Sequence, residues 1–472
     1  MNFHRMILCT IAPAMGVAVA LAAGGCAPDD PGTGAPDGRP NLVVISIDTL
    51  NPRDLPMFNP EASALPNLEA FAAESVRFRR AYSTASWTLP AHASLLTGLY
   101  PDRHGATDPR RRIAPEATTL AQVLEEAGYQ TVGFTDAGYV DAEFGFGRGF
   151  AVYDDESSDR AVKTSRLPRG GKPNRQRGAT LFDRALAFLE ERKPGAPLFL
   201  FLHTYAVHDY FRLHPWIVDA LPPFPRDESP DRYVKGIQGA GECTDEEWDR
   251  LVALYHEEIR HLDRALGPLL EGLRELPGET YIAFVSDHGE GFDPDRGRIH
   301  HGGRLHGDVL HVPWFLSGPG LEPRDVDAPV SLVDVVPTVL DLLEIAAPGD
   351  LDGRSRAGEG APEAAPDATV FGMDHYYRWV EGRRVAVEET QPDPVVTAAI
   401  TASHWLIAGQ GNDELYSVDS DPDQADDLFG EAPESGALLE AIVQRLRPLP
   451  DTEAAAVDSA LQEQLRSLGY LD

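Results

Sequence analysis

The run Asn41-Leu-Val-Val-Ile-Ser-Ile47, closed by Asp48, decides the fold. Short and nearly continuously apolar, it fits a strand buried on both faces. Two later segments repeat the design: Leu198–Leu202 followed by His203, and Tyr281–Val285 followed by Ser286-Asp287-His288-Gly289-Glu290. Residues Gly128–Phe134 and Val312–Leu316 are further strand candidates. Helical patterns lie between them, at Asn67–Val76, Pro90–Leu96, Thr119–Ala127, Thr180–Glu191 and Glu246–Leu276. Strands alternating with helices predict an α/β fold with a doubly wound, mostly parallel sheet flanked by helices. Ligands of such sheets bind beyond the carboxyl ends of the strands, where Asp48, His203, Asp287 and His288 fall.

A second stretch, Ser86-Trp-Thr-Leu-Pro-Ala-His-Ala-Ser-Leu-Leu-Thr-Gly-Leu-Tyr-Pro101, sets Thr88 at a helix N-terminus. Pro90 suits the first turn and Gly98 the far end. Taken alone, such a threonine is an ordinary cap. Next to two strand-end carboxylates and an imidazole it becomes more, because a helix N-terminus attracts phosphate or sulfate oxygens. Asp48, Thr88, Asp287 and His288 are expected to meet at one divalent cation, which would lower the threonine hydroxyl pKa and generate a nucleophile. The imidazole favours Zn²⁺ or Mn²⁺ over Ca²⁺, which takes an all-oxygen shell.

The net charge of −34, from 75 acidic and 41 basic residues, argues against nucleic-acid binding, which needs a basic face. It also means that an anionic substrate has to be drawn in by a local positive site. The cationic stretch Asp159–Arg177 reads as a loop, either a solvated excursion or a rim that gathers anions. Of the three cysteines, Cys9 and Cys26 lie in or at the end of the N-terminal segment and Cys243 stands apart, so no disulfide framework is expected.

Residues 1–25 read as a secretory signal: His4 and Arg5 precede an apolar stretch from Met6 to Ala23. Ala23-Gly-Gly-Cys26 predicts a lipoprotein acylated on Cys26, held to the membrane by that anchor alone. Residues 26–39 form a Pro/Gly/Asp tether. The catalytic domain is then expected over 40–345 and a smaller α/β subdomain over 346–472, with Val395–Ala408 and Glu414-Leu-Tyr-Ser-Val418 as a small sheet and helices at Ala437–Leu446 and Ser459–Leu468.

These stretches, with Leu65-Pro-Asn-Leu, Tyr100-Pro-Asp-Arg-His-Gly, Val309-Leu-His-Val-Pro, Val330-Ser-Leu-Val-Asp-Val-Val-Pro-Thr and Leu351-Asp-Gly-Arg-Ser, stand in the order of a known family. From about Pro40 onward the chain resembles the sulfatase family of the alkaline phosphatase superfamily. The resemblance implies an alkaline phosphatase-like fold and hydrolysis of sulfuric or phosphoric esters. It also implies that His208 and His301 contact the transferred anion and protonate the leaving oxygen, and that His92, His104 and His203 lie in substrate-binding motifs. His306 and His311 are assigned to structure, and Asp54 and Glu290 to support of the ligands. Sulfatases mature a Cys or Ser to formylglycine; Thr88 stands in that place, and its β-methyl excludes an aldehyde. An Asp-His corner with a threonine nucleophile also resembles the phosphoglycerol and phosphoethanolamine transferases. That gives a second reading, transfer of a phosphorylated headgroup or cleavage of an envelope phosphodiester. A third is a binding protein that has kept the fold without catalysis. Selectivity is expected from the loops Asp159–Arg177 and Phe211–Val234.

Overall fold

The computed structural model describes residues 38–155, 179–193, 195–211, 244–293, 298–358, 369–380, 383–387, 394–409 and 413–467. Strand β1 (Asn41–Ile47) is buried along its whole length. It pairs in parallel with β5 (Leu198–Thr204) on one side and β6 (Thr280–Ser286) on the other. Leu42 and Val44 face one apolar layer, while Val43, Ile45 and Ile47 face the other. A strand covered on both faces has no position for a polar alternate, which is why the run is unbroken.

The remaining strands of the sheet are β2 (Val76–Tyr82), β3 (Gln130–Thr135), β4 (Val152–Asp154), β9 (His311–Ser317), β10 (Arg324–Val326) and β11 (Val330–Ser331). Their order is β10-β2-β9-β6-β1-β5-β3-β4, with β11 also on β2. Only β9 is reversed among these, antiparallel to both β6 and β2. Helices cover both faces. On the first lie α2 (Thr88–Thr97), the single turn α3 (Pro101–His104), α4 (Leu120–Glu126) and helix Val335–Leu342; on the second lie α1 (Pro66–Ala73), α5 (Ala179–Glu191) and the long helix Asp245–Arg274. The mostly parallel, doubly wound sheet is therefore as expected.

One expectation is corrected. The helix set at Asn67–Val76 ends at Ala73, and Val76 opens β2. Ser75 Oγ donates to the Phe71 carbonyl at 2.7 Å and closes the helix. Val76 and Phe78 then point inward while Arg77 and Arg79 are half-buried, the period of two that marks a strand.

Beyond residue 345, β12 (Val370–Asp374), β15 (Val396–Ile400), β16 (His404–Gly409) and β17 (Glu414–Ser417) form an antiparallel sheet. Two small hairpins lie outside it, β7 (Phe292–Asp293) with β8 (Arg298–Ile299) and β13 (Tyr377–Val380) with β14 (Arg383–Ala386). Helix Glu434–Arg445 packs Leu438 and Ile442 on the small sheet. Helix Ser459–Ser467 instead returns to the main core through Leu461 and Leu465. No described helix is long and apolar enough to cross a membrane.

Candidate active site

Strand register builds the site. Ile47 lies opposite both Thr204 and Ser286, so Asp48 emerges beside Asp287 at the carboxyl end of the sheet. The chain must turn there, and Thr49 does so at φ +59°, a left-handed conformation that costs a non-glycine residue about 1 kcal/mol. Tyr255, on the long helix, holds this turn: its hydroxyl donates to the Thr49 carbonyl at 2.7 Å and accepts from the Asn51 N–H at 3.0 Å. Gly289 is required by close approach, since a Cβ there would lie 2.2 Å from Asn51 Oδ1 and 2.3 Å from the Asp308 carbonyl.

Helix α2 delivers the hydroxyl. Trp87, in extended conformation, is its N-cap; Thr88 opens the helix; Gly98 closes it at φ +68°. Thr88 Oγ1 donates to Asp48 Oδ2 at 3.2 Å and lies 3.4 Å from His288 Nε2. Trp87 is locked by edge contacts with Tyr139 and Tyr377.

Asp48, Thr88, Asp287 and His288 are all fully buried. Asp287 Oδ1 accepts from the His288 N–H at 2.8 Å and its Oδ2 has ring nitrogens of His92 and His288 each at 3.3 Å, while Asp48 Oδ1 has no hydrogen-bond partner among the described residues. The two carboxyls titrate as a pair. Burial and the charge of Asp287 push Asp48 well above the usual carboxyl range. Burial opposes ionisation of Asp287 too, yet the imidazoles of His288, His92 and His203 hold it below that range. Two buried carboxylates with no Lys or Arg paired to them among the described residues are costly unless a cation joins them. The ligand atoms of Asp48, Asp287 and His288 lie within 4.8 Å of one another, and this oxygen and imidazole set, with the Thr88 hydroxyl beside it, suits a divalent transition ion.

The other expected residues divide. His203 is at the cluster: its Nε2 lies 3.8 Å from Asp48 Oδ2, and burial pushes its pKa well down. His208, in the turn His208–Phe211 after β5, has its ring 5.2 Å from that of His301, which in turn lies 4.4 Å from His288. His92 and His104 are each held by contacts within the core. His92 Nε2 bonds Ser46 Oγ at 2.9 Å, and its Nδ1 lies 3.0 Å from the Thr88 carbonyl and 3.3 Å from Asp287 Oδ2. His104 gives Nε2 to Ser94 Oγ at 3.1 Å and accepts the Ala106 N–H on Nδ1 at 3.2 Å. Glu290 supports the site, but Asp54 does not, since it pairs with His256 at 2.8 Å. His311, as expected, is structural and bonds the Arg79 carbonyl at 2.9 Å; His306 pairs with Glu414 at 3.0 Å.

Three further residues belong to the site. The Tyr205 hydroxyl, which accepts from the Tyr139 N–H at 3.0 Å, neighbours Thr88 and Asp48. His300, buried at φ +76°, places Nδ1 2.9 Å from His301 Nδ1. Asp374, at the end of β12, accepts from Ser86 Oγ and the Gly303 N–H, both at 2.8 Å, and from the Tyr376 and Tyr377 N–H groups at 2.9 Å. It thereby fastens the segment before Thr88 to the segment after His301. The doublet His300-His301 and the short step from His203 to Tyr205 were visible signals; nothing local marked Asp374. Cys26, the Asp159–Arg177 stretch and the loop beyond Phe211 to Val234 lie outside the described residues.

A family model described as Sulfatase matches residues 40–345. A sulfatase of Formosa agariphila is 25% identical over 421 residues, 78% of this chain and 82% of that relative. A choline-sulfatase of Rhizobium meliloti is 28% identical over 357 residues, 65% of this chain and 68% of the relative. Among solved structures, the phosphonate monoester hydrolase of Agrobacterium radiobacter superposes with a TM-score of 0.67 at 19% identity, covering 90% of this chain and 96% of that one. A protein solved with its substrate D-glucosamine-2-N,6-O-disulfate gives 0.64 at 17% identity, covering 91% and 98%.

Proposed function

The chain belongs to the sulfatase family and is an ester hydrolase of that family, and from this we propose that Thr88 is the nucleophile that takes a sulfuryl or phosphoryl group from an anionic ester. The observation that carries the reading is the Thr88 hydroxyl at the head of α2, donating to Asp48 at 3.2 Å beside His288 and Asp287. Threonine cannot form the aldehyde hydrate of a matured cysteine or serine, so attack comes from the hydroxyl itself.

In this reading Asp48 Oδ2 receives the Thr88 proton as Oγ1 attacks sulfur or phosphorus. The N-terminal end of α2, where Thr88 stands, presents the positive end of the helix dipole to the non-bridging oxygens. A divalent cation held by Asp48, Asp287, His288 and Thr88, Zn²⁺ or Mn²⁺ by its donor set, supplies charge stabilisation and a lowered hydroxyl pKa. His208 and His301 meet the leaving oxygen, and a ring proton offsets its charge. Water then releases the group from Thr88 as sulfate or phosphate. Both chemistries have precedents on this fold, in the glucosamine disulfate-bound neighbour and in the phosphonate monoester hydrolase. We further propose that the enzyme is exported and anchored through Cys26.

The test is turnover of a nitrophenyl sulfate, a nitrophenyl phosphate and a bis-nitrophenyl phosphate by metal-loaded protein. Thr88→Ala is expected to lose at least about 10³-fold on whichever ester is preferred while keeping its fold. Retained activity in that variant removes Thr88 as nucleophile. No turnover of any ester by the wild type, with metal bound, favours the binding-protein reading instead.

A further inference from the structure

We propose that His300, His301, Glu290 and His208 hold a second divalent cation next to the first. His300 Nδ1 and His301 Nδ1 are 2.9 Å apart, and Glu290 Oε2 lies 3.4 Å and 3.3 Å from them. A ring nitrogen of His208 lies within 4.8 Å of nitrogens of both other imidazoles. Donor atoms bound to one tetrahedral ion at about 2.0–2.1 Å are separated by about 3.3 Å, so the two nitrogens and the carboxylate oxygen already stand at ligand spacing.

Hydrogen bonding alone serves this triangle poorly. If both Nδ1 atoms carry hydrogen for Glu290, two N–H groups face each other at 2.9 Å. If one ring donates to the other, the accepting nitrogen turns a lone pair toward the carboxylate. A cation at the centre satisfies all three edges.

Charge points the same way. Asp48, Asp287 and Glu290 are fully buried carboxylates, and among the described residues their partners are hydroxyls, backbone N–H groups and imidazoles. One divalent cation at Asp48 and Asp287 offsets two charges and leaves Glu290 with a backbone N–H and two rings. The fold also accepts a left-handed backbone at His300, φ +76°, to bring its ring here. His288 and His301, with rings 4.4 Å apart, form the wall between the two sites.

This inference rests on the reading of Asp48, Thr88, Asp287 and His288 as the first site and deepens it. A cation held by His208 and His301 would supply charge opposite the leaving oxygen in place of a ring proton, which suits phosphoric esters as well as sulfuric ones. The experiment is metal stoichiometry by elemental analysis, after loading the full-length protein with Zn²⁺ or Mn²⁺ and dialysing against metal-free buffer. About two ions per chain are expected in the wild type. About one is expected in both Glu290→Gln and His300→Asn, and the ion that remains shows that these variants are folded. Asp287→Asn should also fall by one. A wild type with one ion, unchanged by Glu290→Gln and His300→Asn, overturns the second site and leaves the first standing: Glu290 is then balanced by a proton on the histidine pair. A wild type with no ion overturns both, whereas failure of Thr88→Ala to lose turnover strikes only the nucleophile.

Discussion

A threonine at position 88 carries a methyl that a serine lacks, and in the proposed reaction that methyl leaves the hydroxyl itself as the attacking group. The hydroxyl's value depends on Asp48 and Asp287, whose uncovered oxygens need a cation more than they need each other. Asp287→Asn should therefore weaken metal binding by more than the ~10–100-fold typical of changes around a ligand shell. Metal content after dialysis checks this, and an unchanged content contradicts the assigned site. Asp48, Thr88, Asp287 and His288 were legible because each follows directly from a strand end or a helix start. The partners of His92 and His104 were not, because what a ring nitrogen meets depends on its neighbours in space. His92 reaches Ser46 on β1, and His104 turns back onto Ser94 of its own neighbouring helix.

At the scale of elements, the parallel core strands announced themselves by unbroken apolar runs, whereas β2, with its three arginines, hid behind a preceding helix. Its signal was the alternation Val76, Phe78 against Arg77, Arg79. The contribution of β12 could not be read at all, because Asp374 acts across 288 positions of sequence to reach Ser86. With one hydrogen bond from each of two loops and two from its own turn, it holds the segment before Thr88 against the segment after His301. Asp374→Ala should lower kcat by roughly tenfold or more at little change in KM, and destabilise the fold by about 1–3 kcal/mol for the donors left unpaired. Asp374→Asn, which keeps an acceptor oxygen, should recover part of both. Equal kcat in the alanine variant, or a loss confined to stability, would remove the positioning role.

For the molecule as a whole, the small sheet and the final helix are tied into the catalytic core, and buried histidines at that junction give folding a pH dependence. Burial pushes both His104 and His375 down from 6.5 to about 3. Both stay neutral when folded, whereas the unfolded chain takes up protons below about 6.5. Their stabilisation is complete above that pH and is lost as pH falls toward 3, each at about 1.4 kcal/mol per pH unit. Tm should fall across this range, and His375→Gln should flatten the fall; an identical profile in the variant contradicts the assignment. Export is a separate whole-chain claim. Cys26→Ser should move the protein from the membrane fraction to the soluble fraction of the cell envelope, and an unchanged distribution argues against the lipid anchor.

Attack by Thr88 leaves a covalent group on its oxygen, which peptide mass analysis of enzyme quenched during turnover of its preferred ester detects. The expected result is a sulfo or phospho group on the peptide that carries Thr88, absent from unreacted enzyme. Steady turnover with no modification there, or with the group on another residue, would contradict it.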